Sequence, residues 1–147
     1  MDDSESRSRA KRFADYVRLH VANEKAITLP VEARLLRSGI NDFGLDLDLA
    51  QGTLMAVATR EGVALESLAE RPTRTFIDYL TNGKKVSKKN FRKAVTFYRR
   101  LTNDAVDEET ARKQVKRIVD GDGLKVRRNL IGMRRWYNRI PKPDPVA

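Results

Sequence analysis

Between Gly83 and Arg100 the chain carries eight lysines and arginines and no acidic residue. Lys84, Lys85, Lys88, Lys89 and Arg92 lead that run, and a second basic set, Arg127, Arg128, Arg134 and Arg135, follows near the C-terminal end. Side chains of this kind hold phosphates, because each phosphate they neutralise releases condensed counterions and adds salt-dependent affinity. A helix facing only water usually mixes both signs, since Glu–Lys pairs four residues apart add a little stability. The absence of acids therefore costs self-repulsion that a polyanion would relieve. The plainer reading is a solvated basic surface that aids solubility.

Other chemistries find little support. His20 is the single histidine and lies on an apolar helical face, where packing explains it. Asp46 and Asp48 form a carboxylate pair, but two acids at a helix start serve the helix dipole. Asp120-Gly121-Asp122-Gly123 resembles the opening of a calcium loop, yet the twelfth position is Ile131 where a bidentate Glu is required. There is no cysteine, hence no thiolate chemistry and no disulfide framework. No phosphate-binding glycine loop and no nucleophile elbow occurs. The expectation is a protein that is not an enzyme and needs no cofactor or metal.

The 147 residues carry a net charge of +10. Residues 1–70 hold 9 basic and 12 acidic residues, and residues 71–147 hold 21 and 8. A mildly acidic first half joined to a strongly basic second half points to an anionic partner for the second. No apolar run is long enough for a membrane span, and the first residues lack the apolar core of a secretory signal. These features predict a cytoplasmic protein that does not engage membranes.

The elements that must carry these residues follow from apolar spacing. Residues 1–8 are short, charged and expected to be disordered, and 9–140 form a single helical domain. Phe13, Tyr16, Val17, His20 and Val21 share one face of a first helix beginning near Arg9. Thr28 caps a second helix with Pro30 in its first turn. A third runs from Asp46 to Glu61 through Ala50, Leu54, Val57 and Ala58. Residues 9–61 make an N-terminal unit. Within 62–101, Leu65–Glu70 is predicted helical, Arg71-Pro72-Thr73 a turn, and Arg74–Asn82 a helix capped by Thr73 and closed by Gly83. Ser87 caps a further helix, Lys88–Leu101, that buries Phe91, Ala94, Val95 and Tyr98. Residues 107–140 hold a C-terminal pair. Asp107 caps the first helix, and the second runs from Lys125 to Ile140 with an apolar stripe of Val126, Leu130, Met133, Tyr137 and Ile140. That stripe suits docking on the body, or pairing with a partner helix or a second copy as a homodimer, and the helix also suits lying on phosphates with Trp136 or Tyr137 near the backbone. Residues 141–147 are a Pro-rich tail. The expected fold is all-α, a compact bundle of about seven helices with a basic C-terminal helix.

Two resemblances rest on particular residues. Gly62-Val63 with Leu65-Glu66-Ser67-Leu68-Ala69-Glu70, the apolar pair Ile77 and Leu80, and Asn82-Gly83-Lys84-Lys85-Val86-Ser87 resemble the helix-turn-helix of the lambda-repressor/Cro type, with a shorter turn. That resemblance implies a bacterial transcriptional regulator whose helix 74–82 enters the major groove of double-stranded DNA. Arg74, Thr75, Asp78, Tyr79 and Asn82 would then reach base edges, and Lys84, Lys85, Lys88, Lys89 and Arg92 would hold phosphates. Separately, Phe13–Val17 echoes Phe76–Leu80, Ala26-Ile27-Thr28 echoes Lys85-Val86-Ser87, Leu45-Asp46 echoes Val106-Asp107, and Gly62 echoes Gly121, some sixty residues apart. Paired helical units of this kind resemble tellurite-resistance TerB-like or metal-free EF-hand-like folds. They imply instead an adaptor whose basic half docks an acidic protein.

Overall fold

The computed structural model describes residues 2–123, 126 and 135–145. The fold is all-α. Seven α-helices occur among the described residues: α1 (Asp3–Val21), α2 (Leu29–Asn41), α3 (Leu47–Glu61), α4 (Glu70–Thr81), α5 (Lys88–Leu101), α6 (Glu108–Gly121) and the short α7 (Arg135–Asn138). Two dipeptide strands accompany them, β1 (Ala26–Ile27) and β2 (Ala64–Leu65). The chain divides into two compact units, one reaching to Glu66 and the other running from Ser67 to Pro145.

In the first unit, α1 starts well before the expected Arg9. Asp2 accepts the Ser4 amide, and Asp3 and Glu5 occupy the first turn. Acids there favour the positive end of the helix dipole, and Glu5 pairs with Arg9 one turn on. Residues 3–8, expected to be disordered, are therefore helical. Phe13, Val17 and Val21 point inward, with Leu35, Ala50, Leu54, Val57 and Ala58 completing the core. Thr28 holds the N-cap position of α2 but its hydroxyl caps nothing. The buried Glu66 carboxylate takes the Leu29 amide instead, at 2.9 Å. β1 and β2 pair in parallel, Ala26 with Ala64 and Ile27 with Leu65. Two-residue strands escape a periodicity search, which needs four or more residues.

The second unit repeats this plan. Asp46 and Asp107 cap α3 and α6, each accepting the amide three residues on, at 2.8 and 2.7 Å. Ala50, Leu54, Val57 and Ala58 of α3 correspond to Ala111, Val115, Ile118 and Val119 of α6, all buried. Phe13, Val17 and Val21 of α1 correspond to Thr73, Ile77 and Thr81 of α4. Val86 and Val126 form a parallel bridge where Ile27 and Leu65 pair in the first unit. Gly62 and Gly123 follow α3 and α6 with φ of 67° and 64°, the left-handed region where glycine carries no Cβ penalty. The observed register differs from the sequence echo in two places. Gly62 matches Gly123 rather than Gly121. Phe13 matches Thr73 rather than Phe76, because a three-residue slip is nearly a helical turn and keeps the sequence alike while rotating the face.

Around α4 the structure departs from the expected elements. Leu65 is in β2 and Glu66–Leu68 form a single 3-10 turn, not a helix over 65–70. Arg71, Pro72 and Thr73 lie inside α4, which begins at Glu70. Pro72 sits in the first turn, where its missing N–H leaves no bond unmade, so nothing breaks the helix. Thr73 is fully buried and caps nothing. Toward the C-terminus, Val126 bridges Val86 as extended chain, not as part of a helix from Lys125. Leu130, Met133, Arg127, Arg128 and Arg134 lie outside the described residues.

Candidate nucleic-acid interface

Helix α5 owes its position to local caps. Ser87 accepts the Asn90 amide at 3.1 Å, and Asn90 Nδ2 donates to the Leu80 carbonyl at the end of α4. Asn82 takes a left-handed conformation as the C-cap of α4, with φ 46°. The loop 82–87 is thereby fixed at both ends. Phe91, Ala94, Val95 and Tyr98 are buried, which turns Lys89, Arg92, Lys93, Thr96 and Arg100 to solvent. Those five recur at helical spacing on one face.

This face meets an aromatic pair. Phe76 from α4 and Phe97 from α5 stack with ring centroids 4.3 Å apart and planes 23° apart. Both are half-buried. With Lys89, Arg92, Lys93, Thr96 and Arg100 they line a shallow groove of about 440 Å³ that holds four cations and no acid. None of these four cations makes an ion pair among the described residues. Tyr79, 80% exposed, lies one turn along α4 from Phe76.

The corresponding groove of the first unit sharpens the contrast. Tyr16 stands where Phe76 stands and Arg34 where Lys93 stands, but Ser38 replaces Phe97 and Asn41 replaces Arg100. Asp42 adds an acid, and Tyr16 turns its hydroxyl to Ser38 Oγ at 3.5 Å. The Tyr16 and His20 rings also pack in the first groove, with centroids 4.1 Å apart but planes tilted by 43°. Of these two grooves only the second carries uniform positive charge.

The residues singled out from sequence distribute unevenly. Lys88, Lys89 and Arg92 lie exposed on α5, and Lys84 and Lys85 lie exposed in the preceding loop. Thr75 and Asn82 are exposed on and after α4, with the Thr75 hydroxyl donating to the Arg71 carbonyl. Arg74 is engaged within the unit. It reaches Glu70 at 3.0 Å, and its Nε lies 2.8 Å from Asp122 Oδ1 in an ion contact whose N–H is not aimed at the oxygen. Arg117 donates to the other oxygen of Glu70 at 3.1 Å. The Arg117 hydrogen bond, then the charges of Arg117 and Arg74, hold the Glu70 carboxyl below its ordinary value. Arg74 thus ties α4 to the end of α6. Arg135 is exposed on α7.

Sequence reasoning had Lys93 and Arg100 within the basic run but missed Phe76 and Phe97 as members of the same surface. The available signal was the spacing 89, 93, 96, 100 opposite the buried face of α5.

Helix α7 is anchored by a buried lysine. Lys116 Nζ donates to the carbonyls of Tyr137 at 3.2 Å and Ile140 at 2.7 Å, and it sits 4.8 Å from the Tyr137 ring centroid. Tyr137 donates its hydroxyl toward the Lys116 carbonyl at 3.3 Å and also contacts Asp120. The corresponding position in the first unit is Met55, 45% exposed.

Among the described residues no group of three or more His, Asp or Glu is placed to hold a metal ion, and no helix is long and apolar enough to cross a membrane. No protein-family model, curated protein or solved structure matches this chain.

Proposed function

We propose that this protein binds nucleic acid, and that the outer face of α5 with the Phe76–Phe97 pair makes the contact. The observation that carries this reading is the groove of four cations, none in an ion pair among the described residues, beside a stacked aromatic pair. Phosphates suit the cations, and each one engaged releases counterions. The aromatic rings suit bases or sugars and have no counterpart in a surface built only for solubility.

Lys84, Lys85 and Lys88 extend the same charge toward the start of α5. In this reading α5 leads, and the exposed part of α4 around Thr75, Tyr79 and Asn82 flanks it. Arg74 keeps a structural task. A regulator reading duplex DNA through α4 is the narrower form of the same proposal. It draws on Thr75, Tyr79 and Asn82 for base edges.

The competing reading is an adaptor that docks an acidic protein on the same face. The repeated two-unit plan gives it a basis, but the stacked rings between the cations favour bases over carboxylates.

The test is fluorescence anisotropy of labelled oligonucleotides, single-stranded and duplex, titrated with the intact protein at low salt. Binding that weakens steeply with salt and is lost when Lys89, Arg92 and Lys93 are replaced by Glu supports the proposal. Absence of binding to either form, or binding indifferent to those substitutions, removes it.

A further inference from the structure

Arg92 lines two cavities. One is the Phe76–Phe97 groove, and the other, of about 520 Å³, lies beside Trp136. The second is bounded by Lys88, Arg92, Arg112 and Arg139, with Glu109 as its single acid. Its apolar wall is Phe91, Trp136, Ile140 and Pro141. Four cations line it against one carboxylate, and Arg112 also pairs with Glu108 at 3.3 Å, which leaves a net positive cavity with Lys88, Arg92 and Arg139 as its cations outside any ion pair among the described residues. Its volume falls in the range of small-molecule sites, roughly 300–1,000 Å³. An indole next to guanidinium groups suits a ligand that is planar at one end and anionic at the other.

The indole is fixed before any ligand arrives. Trp136 is half-buried and meets Phe91 and Tyr137 in edge-on contacts, with centroids 5.6 Å from each. Lys116 holds the carbonyls of Tyr137 and Ile140, both just after Trp136 in the chain. Rigid placement lowers the ordering cost of binding.

We propose that this cavity receives one unpaired nucleotide of a single strand. The base lies against Trp136, and the adjoining phosphates lie on Lys88, Arg92 and Arg112. The inference rests on the nucleic-acid reading and deepens it. A strand crossing Arg92 would find an aromatic platform on each side, Phe76–Phe97 and Trp136. Paired bases in a duplex are stacked on their neighbours and cannot enter without being extruded. An unpaired strand offers its base faces at no such cost.

Trp136 is the only tryptophan in the chain, so its emission reports this cavity alone. The experiment titrates the intact protein with oligothymidylate and, separately, with a blunt duplex of the same length. Indole emission and anisotropy of the labelled oligonucleotide are read together. The expected result is strong quenching by the single strand, little by the duplex, and tighter binding of the single strand. Trp136→Ala should weaken single-strand binding about tenfold and leave duplex binding unchanged. Arg112→Ala, at an exposed position, should weaken the single strand in the same direction and guards against a folding defect in the first variant. Equal binding of both forms with unchanged emission would overturn the inference and leave the nucleic-acid reading standing. Binding of neither form would remove both.

Discussion

Gly39 of α2 lies directly against the ring of Phe13 of α1: a Cβ placed on Gly39 would stand 2.9 Å from Phe13 Cζ and 3.1 Å from both Cε atoms. Phe13 is fully buried and boxed by Tyr16 and Phe43, whose centroids are 6.4 and 5.5 Å away. The ring has no room to retreat. The corresponding positions in the second unit are Thr73 and Tyr98, both buried. Large and small have traded helices, and each unit solves the same packing problem in the opposite sense.

Gly39→Ala should therefore destabilise the first unit. Overpacking a core costs about 1–3 kcal/mol, while replacing a helical glycine by alanine gains about 1 kcal/mol of propensity. The steric term wins because the ring is enclosed. Thermal unfolding should show a lower midpoint for Gly39→Ala, and the double variant Phe13→Leu/Gly39→Ala should lose less than the sum of the two singles. Simple addition of the two losses would mean that the two positions do not press on one another.

Lys116 is the anchor of α7. Lys116→Met installs the residue that occupies the matching place in the first unit and leaves the carbonyls of Tyr137 and Ile140 without their donor. A lost hydrogen bond to a charged group costs about 1.5–3 kcal/mol, spread here over two acceptors. Helix α7 has four residues, too few to hold itself. Trp136 emission should shift to the red and become more accessible to a soluble quencher, while far-ultraviolet circular dichroism changes little. An unmoved emission spectrum would show that the aromatic contacts of Phe91, Trp136 and Tyr137 hold the segment unaided.

Much of the helical frame was legible because apolar spacing and caps agree. Ser87 and Asp107 announce α5 and α6, and each accepts the expected amide; Asp46, read as a dipole acid at the start of α3, is found to cap it. The start of α4 was obscured by Arg71-Pro72-Thr73, where proline and threonine suggest a turn although proline in a first turn is harmless. The start of α1 was hidden by charge, since a run of polar residues signals disorder as readily as a capped helix. The β pairs could not be read at all, because a dipeptide has no period. For the candidate site, the cations were visible in sequence but the Phe76–Phe97 stack was not. It joins two helices, and only the packing of α4 on α5 brings those rings together. Arg74 shows the converse: its type suggested base reading, while Glu70 one turn before it and the sequence-distant Asp122 claim it.

The network around Glu70 gives stability a pH dependence of definite sign. Arg117 and Arg74 lower the Glu70 pKa below its ordinary 4.5. A carboxylate held below its unfolded value stabilises the fold above that value, and the contribution fades as pH falls through the folded value. The Glu70 side chain is 36% exposed, so water and salt screen the pairs and the gain stays below about 1 kcal/mol. Glu70→Gln should lower the melting midpoint slightly at neutral pH and low salt. The gap from the parent should shrink below pH 4.5 as the parent takes up its proton. A gap constant with pH would show that Glu70 acts by shape and not by charge.

The cations on α5 make a prediction that separates phosphate contacts from general attraction. Lys89 and Lys93 stand one turn apart on the exposed face of α5 and make no ion pair among the described residues. If each engages one phosphate, each contributes about 0.7–0.9 to the slope of log affinity against log salt. The double variant Lys89→Ala/Lys93→Ala should therefore flatten that slope by about 1.5 and weaken binding at low salt. Because both side chains are exposed and neither ammonium group makes an ion pair among the described residues, the melting midpoint should stay near that of the parent. Lys11→Ala/Arg12→Ala, which removes two exposed cations of α1, removes the same net charge from the other unit. It should leave the slope nearly intact if the phosphates lie on α5. An equal change from both double variants would mean that total charge alone attracts the polyanion and that the face of α5 has no privileged part in the contact.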